Sequence, residues 1–255
     1  MKEHFSIERL WWLLRADCTA GYRSLLTVSG TLAGVIFIAS LISTPGAGTA
    51  QGFFVFWFGT LLFVWGAIAS SRAFAELHDK TRNVAYLLIP ASSIEKTVAR
   101  LLAVTLGLAA YLLILTGAVS LVVEGVFRLF LGVSVGLFNP LDPRVWELIG
   151  GYIFVQSFYF LGAAWFRRRH FMKTTLVLMA AGIGLALFVL LTLRVVFAPD
   201  GMTDPELLIA RALESYQGLH RLFENLLTIL TILLPVACWS ITWLRVRETQ
   251  VSDAV

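Results

Sequence analysis

Residues 53–71 read FFVFWFGTLLFVWGAIASS and carry no charged side chain, whereas the next segment, residues 72–96, reads RAFAELHDKTRNVAYLLIPASSIEK. A bilayer core about 30 Å thick is crossed by about 20 apolar residues in a helix that rises about 1.5 Å per residue. The first stretch has that length and no polar face. It therefore predicts a membrane-spanning helix, and the second stretch predicts a charged loop at the membrane surface.

The same alternation of apolar runs and polar loops recurs along the whole chain. Six runs are long enough to span a bilayer, at residues 24–43, 53–71, 97–123, 148–166, 174–197 and 227–245. The hydrophobic fraction of 58% exceeds the about 45–50% of soluble proteins, and the charged fraction of 14% falls below the usual value of about 25%. We therefore predict an all-α polytopic membrane protein with a single transmembrane domain over residues 1–255.

Positive charge is distributed unevenly between the loops. Fifteen of the twenty Lys and Arg residues precede the first span or lie in or beside the segments that follow the second, fourth and sixth spans. Because cytoplasmic loops of membrane proteins are enriched in Lys and Arg, this pattern predicts that both termini are cytoplasmic. The cations are dispersed at the membrane surface, which favours contact with anionic lipid over nucleic acid.

Residues 1–23 predict a further helix before the first span. Ser6 is suited to be its N-cap, and apolar residues follow at helical spacing. The apolar side is formed by Ile7, Leu10, Trp11 and Leu14. A basic amphipathic helix of this kind lies in the cytoplasmic interface of the membrane, or packs on the cytoplasmic surface of its own protein.

The charged segment at 72–96 predicts a short helix, a break and the start of another helix. Pro90 disfavours a helical conformation at the residue before it. Ser92 and Glu95 then have the S-x-x-E spacing of a capping box, which would start the third span. The four apolar residues at 86–89 need burial against lipid, against this chain or against a partner.

Two segments on the opposite side do not have the composition of plain loops. We expect the third span to end near Val123 and residues 124–138 to run along the outer interface. In the extracytoplasmic loop at 198–226, Asp204 followed by Pro205 predicts the start of a surface helix.

Motifs for catalysis and metal binding are scarce. Residues 132–136 match G-x-S-x-G, but that chemistry needs a strand-to-helix elbow and a nearby His base, so we interpret them as small residues of an interfacial helix. There is no G-x-x-x-x-G-K-[ST] phosphate loop, and four scattered His residues form no ligand set. We therefore predict no enzyme activity, catalytic residue, metal site or cofactor on this chain.

The amino-terminal helix, the six spans and the charged loop after the second span resemble the permease subunit of type-2 ABC exporters. In that family the loop has acidic and basic residues, a Leu pair, a Pro, a small polar residue and a basic residue that opens the third span. The matching positions here are Glu76, Asp79, Lys80, Thr81, Leu87, Leu88, Pro90, Ser92, Glu95 and Lys96. The chain departs from the pattern at Lys80, where the family has a glycine before Thr81.

This resemblance implies a partner and a function. In the family the loop is a coupling helix that docks on a separate cytoplasmic ATPase subunit. The implied interface consists of Glu76, Leu77, His78, Asp79, Lys80, Arg82, Leu87 and Leu88. The resemblance further implies a second permease subunit (identical or paralogous), ATP and Mg on the ATPase, and export across the bacterial inner membrane. The nearly charge-free spans would suit a hydrophobic or amphipathic substrate, although lipid-facing Phe residues account equally for the composition.

Two other classes of function share most of these features. A non-transporting membrane scaffold or assembly factor would use the same loop to recruit a cytoplasmic partner. An intramembrane enzyme would depend on Ser134 alone.

Overall fold

The computed structural model describes residues 6–43, 50–78, 91–166, 169–197 and 217–252. Within these ranges the chain is mostly helical and has no strand. The helices are α1 (Ile7–Ser43), α2 (Ala50–Ser71), α3 (Ser93–Leu102), α4 (Leu108–Leu131), α5 (Pro143–Trp165), α6 (His170–Phe197) and α7 (Gln217–Ser252). A short 3-10 helix at Ala75–His78 follows α2, and a π-helical turn at Ala103–Gly107 joins α3 to α4.

Five helices among the described residues are long and apolar enough to cross a membrane. They are Ala50–Leu77, Ser93–Leu131, Pro143–Trp165, His170–Thr192 and Asn225–Thr249. Each falls on one of the predicted spans, because a run of about 20 apolar residues is visible in composition alone. The first predicted span, 24–43, coincides only with a shorter apolar helix, Thr27–Ser43.

The structure corrects the boundary predicted near residue 23. We expected a separate interfacial helix before the first span, whereas α1 continues without a break from Ile7 to Ser43. No proline lies between these residues, so the backbone has no reason to leave the helical ladder. The start is as predicted, since the Ser6 carbonyl accepts the Leu10 N–H at 3.2 Å.

A second correction concerns the end of the third span. The helix predicted to end near Val123 continues to Leu131, and Gly132 ends it with a left-handed φ of 64°. Glu124 does not end the helix, because it pairs with Arg128 one turn later at 2.6 Å. Residues 132–139 then fold back without helical structure, so the interfacial helix expected there is absent.

The helices enclose two apolar clusters. The larger one joins α1, α2, α4 and α5 and includes Phe54, Phe58, Leu112 and Tyr152. The smaller one lies where α2, α5 and α7 end and includes Phe74, Leu77, Phe160 and Val246. We refer to the end of the bundle with Ser6, His78, Glu95 and Trp165 as the Glu95 end. The opposite end, with Ala50, Glu124 and Pro143, is the Glu124 end.

Candidate functional site

The predicted interface lies at the Glu95 end and is partly described. Glu76, Leu77 and the backbone of His78 belong to the 3-10 helix at Ala75–His78. The remaining predicted positions lie outside the described residues, namely Asp79, Lys80, Arg82, Leu87 and Leu88. The surface helix predicted in the loop at 198–226 lies outside them as well, up to the start of α7 at Gln217.

Leu77 has a different environment from the one we expected. We placed it among the residues that meet a partner, but it is only 5% exposed and packs in the smaller apolar cluster. In a 3-10 helix, residues three apart share a face, so Leu77 lies beside Phe74, which is also buried. Leu77 therefore anchors the 3-10 helix to its own chain.

Glu76 connects the 3-10 helix to α3. Its carboxylate accepts a hydrogen bond from Arg100 Nη2 at 2.8 Å, and both side chains are partly exposed. The chain that leaves α2 is thus linked to the chain that enters the next helix.

The capping box predicted at Ser92 and Glu95 is confirmed. Ser92 Oγ accepts the Glu95 N–H at 3.2 Å, and the Ser92 N–H donates to the Glu95 carboxylate at 2.8 Å. Two of the N–H groups at the start of α3 are therefore satisfied locally, and the direction in which the chain approaches α3 is fixed.

The Glu95 carboxylate also binds the start of α1. It accepts the Ser6 N–H at 2.7 Å and pairs with Arg9 at 3.2 Å. The Glu95 side chain is fully buried. Because a buried carboxylate is stable only when its oxygens are well paired, these contacts hold the starts of α1 and α3 together. We call Glu95, Ser92, Ser6 and Arg9 the Glu95 clasp.

The amino-terminal residues predicted to form an apolar side divide into two pairs. Ile7 and Trp11 are exposed, at 76% and 65%, whereas Leu10 and Leu14 are half-buried. One edge of the helix is therefore free to meet lipid, and the neighbouring edge is partly covered by the chain itself.

A close contact between helices, the joint at Tyr152, lies at the π-helical turn that follows α3. The Tyr152 hydroxyl of α5 donates to the Val104 carbonyl at 2.6 Å. A π-helical turn shifts the backbone pairing and makes a carbonyl accessible in this way. A Cβ at Gly66 of α2 would lie 2.1 Å from Tyr152 Cε2. Three helices therefore meet closely at Tyr152.

The G-x-S-x-G stretch has a structural partner at the Glu124 end. Glu124 accepts hydrogen bonds from Ser134 Oγ at 2.7 Å, from the Val135 N–H at 2.8 Å and from the Gly136 N–H at 2.9 Å. Gly136 has a φ of 97°, which favours glycine, so the motif serves a backbone turn around a carboxylate. Ser134 binds only Glu124 and Arg128 among the described residues.

The sequence analysis did not predict three of these contacts. They differ in whether a local sequence pattern indicates them. The Glu95–Ser6 and Tyr152–Val104 contacts join residues 89 and 48 apart, and no local pattern marks them. The turn around Glu124 did leave a signal, in the two glycines that flank Ser134.

The fold and these contacts define the class of protein. Several helices of membrane-crossing length surround a shared apolar core, as in polytopic helical membrane proteins. No family model, no curated protein and no solved structure matches the chain.

Proposed function

We propose that this chain is the permease subunit of an ABC exporter of the type-2 class. It would lie in the bacterial inner membrane with both termini in the cytoplasm and pair with a second permease subunit. The observation that supports the proposal is the Glu95 clasp, because it joins the described end of the charged segment, at Ser92 and Glu95, to the starts of α1 and α3.

Movement of the segment between His78 and Ser92 would reach three helices. It would reach α2 through the buried Leu77, α3 through the capping box at Ser92, and α1 through the Ser6–Glu95 hydrogen bond. A cytoplasmic ATPase that binds this segment would therefore move α1, α2 and α3 together. ATP and Mg would be bound by the ATPase, since this chain has no phosphate loop.

The π-helical turn offers a place where such a movement could be absorbed. Turns of this kind depart from the regular helical ladder and are frequent at functional sites. Here the turn separates α3, which belongs to the Glu95 clasp, from α4, which packs in the larger apolar cluster. In the proposed cycle α3 changes its tilt at this turn while Tyr152 keeps α5 in contact with Val104.

Helix α6 supports the presence of a second permease subunit. Only 6% of its apolar stretch is buried in the chain, compared with 44% for α5. Leu185, Phe188 and Val195 are 65%, 67% and 81% exposed. A helix that is apolar on all sides needs lipid or another protein around it. In the proposed dimer the substrate path runs between the two subunits beside α6, with a hydrophobic or amphipathic substrate.

Affinity purification from native membranes tests the proposal. We expect the wild-type chain to co-purify with a phosphate-loop ATPase, and the double variant Leu87→Asp/Leu88→Asp to lose it. Val251→Asp, an apolar-to-acidic change at the end of α7, is the matched control and should retain the ATPase. Unchanged co-purification by the double variant would contradict the proposal, and a partner without ATPase activity would favour the scaffold alternative.

A labelling experiment tests the orientation of the segment in the wild-type chain and in the Leu87→Asp/Leu88→Asp variant. In a background with Cys18→Ser and Cys238→Ala, Lys80→Cys should react with a membrane-impermeant maleimide only after the cells are permeabilised. Reaction in intact cells would place the segment outside the cell and contradict the orientation.

A further inference from the structure

An open groove lies between α2 and α5 at the Glu124 end. Its volume is about 670 Å³, within the range of about 300–1,000 Å³ that is usual for small-molecule sites. The groove exists because α2 carries small residues there, at Gly52, Gly59 and Thr60, between larger neighbours. A Cβ at Gly59 would already lie 3.0 Å from Leu148, whereas a Cβ at Gly52 would meet no atom within 4 Å.

Below the mouth, the wall of the groove offers mainly hydrocarbon contacts. Phe56, Phe63 and Val64 line it, together with Leu148 from α5. The Thr60 hydroxyl donates to the Phe56 carbonyl at 2.9 Å, so its hydrogen-bonding need is met within α2. A ligand that fills this part of the groove is therefore an alkyl chain and not a polar molecule.

The mouth of the groove carries one guanidinium, Arg144, and two carboxylates, Glu147 and the Asp142 that is paired with Arg144. Arg144 and Glu147 both line it and lie three residues apart, on one face of the first turns of α5. Arg144 uses Nε and Nη2 to bind Asp142, at 3.1 and 2.9 Å, and its guanidinium has further N–H groups for an anion. Glu147 is exposed. The mouth can thus receive a phosphate and an ammonium group side by side.

The mouth is also held in place from both helices. Gln51 of α2 donates to Asp142 at 3.1 Å and accepts the Asn139 N–H at 2.8 Å. Trp146, next to Glu147 in the first turns of α5, is 56% exposed, as is typical of an indole ring at the boundary between lipid and water. The charged mouth therefore lies at headgroup level if α5 spans the membrane, with the apolar groove below it.

We propose that this groove binds one acyl chain of a zwitterionic glycerophospholipid, with the phosphate on Arg144 and the ammonium group on Glu147. The occupant is chosen by charge complementarity, because phosphatidylglycerol carries the same phosphate but no ammonium group to pair with the Glu147 carboxylate. The proposal requires insertion in a membrane and does not depend on the ATPase partner.

Native mass spectrometry of the purified protein tests the site. The protein is incubated in detergent with equal amounts of dioleoyl phosphatidylethanolamine and dioleoyl phosphatidylglycerol. We expect the wild type to retain the ethanolamine lipid preferentially. Gly52→Leu, whose Cβ would meet no atom within 4 Å, extends a side chain into the groove and should lower the retained lipid about tenfold, whereas Gly150→Leu on the exposed side of α5 should leave it unchanged.

A second variant separates headgroup recognition from folding. Glu147 makes no hydrogen bond or ion pair in the described part of the chain, so Glu147→Gln should fold normally. It should lower the preference for the ethanolamine lipid about fivefold and leave the total amount of bound lipid unchanged. Equal retention of both lipids by the wild type, no retained lipid, or undiminished binding by Gly52→Leu would each overturn the proposal.

Discussion

The Ser6 N–H donates a 2.7 Å hydrogen bond to the Glu95 carboxylate across 89 residues of chain. The same carboxylate caps its own helix through Ser92 and pairs with Arg9. One buried side chain therefore fixes where α1 begins relative to α3. In the proposed permease, this contact determines that the amino-terminal helix follows any movement of the segment at 72–96.

Glu95→Gln should destabilise the protein, because one carboxylate oxygen becomes an NH₂ group that faces other donors. Hydrogen bonds to buried charged groups are worth about 1.5–3 kcal/mol, so the free energy of unfolding should fall by about 2 kcal/mol. Thermal unfolding of the purified protein in detergent measures the change. Glu8→Gln, at an exposed position on α1, is the control and should have no effect. Equal stability of the two variants would show that the clasp contributes nothing.

Gly66→Ala should destabilise the joint at Tyr152, because its Cβ would lie 2.1 Å from a ring that is only 1% exposed. Overpacking of this kind costs about 1–3 kcal/mol. Gly117→Ala is the matched control in α4, where a Cβ meets no atom within 4 Å. It should stabilise the helix by up to about 1 kcal/mol. Unfolding midpoints in the same detergent compare the two variants, and a Gly66→Ala protein as stable as Gly117→Ala would disprove the close contact.

Glu124→Gln should loosen the turn at 132–136. The Val135 and Gly136 N–H groups donate to one oxygen of Glu124, and an amide in its place cannot accept from all the present donors. Hydrogen exchange at these two amides should quicken about tenfold. Ser134→Ala keeps both backbone contacts and should change exchange much less. A larger effect in Ser134→Ala than in Glu124→Gln would show that the serine has another role.

Asp142 should contribute to stability at neutral pH and lose its contribution only in acid. Hydrogen bonds from the Arg144 side chain, from the Arg144 backbone N–H and from Gln51 hold the pKa of Asp142 well below its usual value of about 3.9. A lowered pKa stabilises the fold above the pKa of the unfolded chain, and this stabilisation is lost as the pH falls towards the folded value.

The comparison of wild type with Asp142→Asn isolates this effect, because Asn also caps helices well. The difference in their unfolding midpoints should stay constant from about pH 8 to pH 5 and shrink below about pH 4. A difference that disappears by pH 6 would contradict the assignment.

Hydropathy and local spacing account for the parts of the fold that could be predicted. The apolar runs at 53–71 and 148–166 were recognised from hydropathy averaged over many residues. They therefore coincide with α2 and α5, although their predicted ends are in error by several residues. The capping box at Ser92 and Glu95 depends on residues three apart, so the spacing alone indicated it.

The errors have a physical cause as well. The third span was predicted to end near Val123 because the apolar stretch that continues to Phe138 is too long for a single crossing. The turn at 132–136 supplies Glu124 with hydrogen bonds, and that compensation depends on residues that are not its helical neighbours. The resemblance to the permease family placed Leu77 at the interface, and its burial depends on Phe160 and Val246, which are distant in sequence.

Site-specific photo-crosslinking at Leu87 tests the central claim most directly, since it asks what touches the segment at 72–96. Benzoylphenylalanine at this position should crosslink, in intact cells, to a protein with a phosphate loop. The same group at Phe56, which is 65% exposed on α2, should not reach that protein. Crosslinks from position 87 to lipid alone, or to a protein without ATPase activity, would contradict the account.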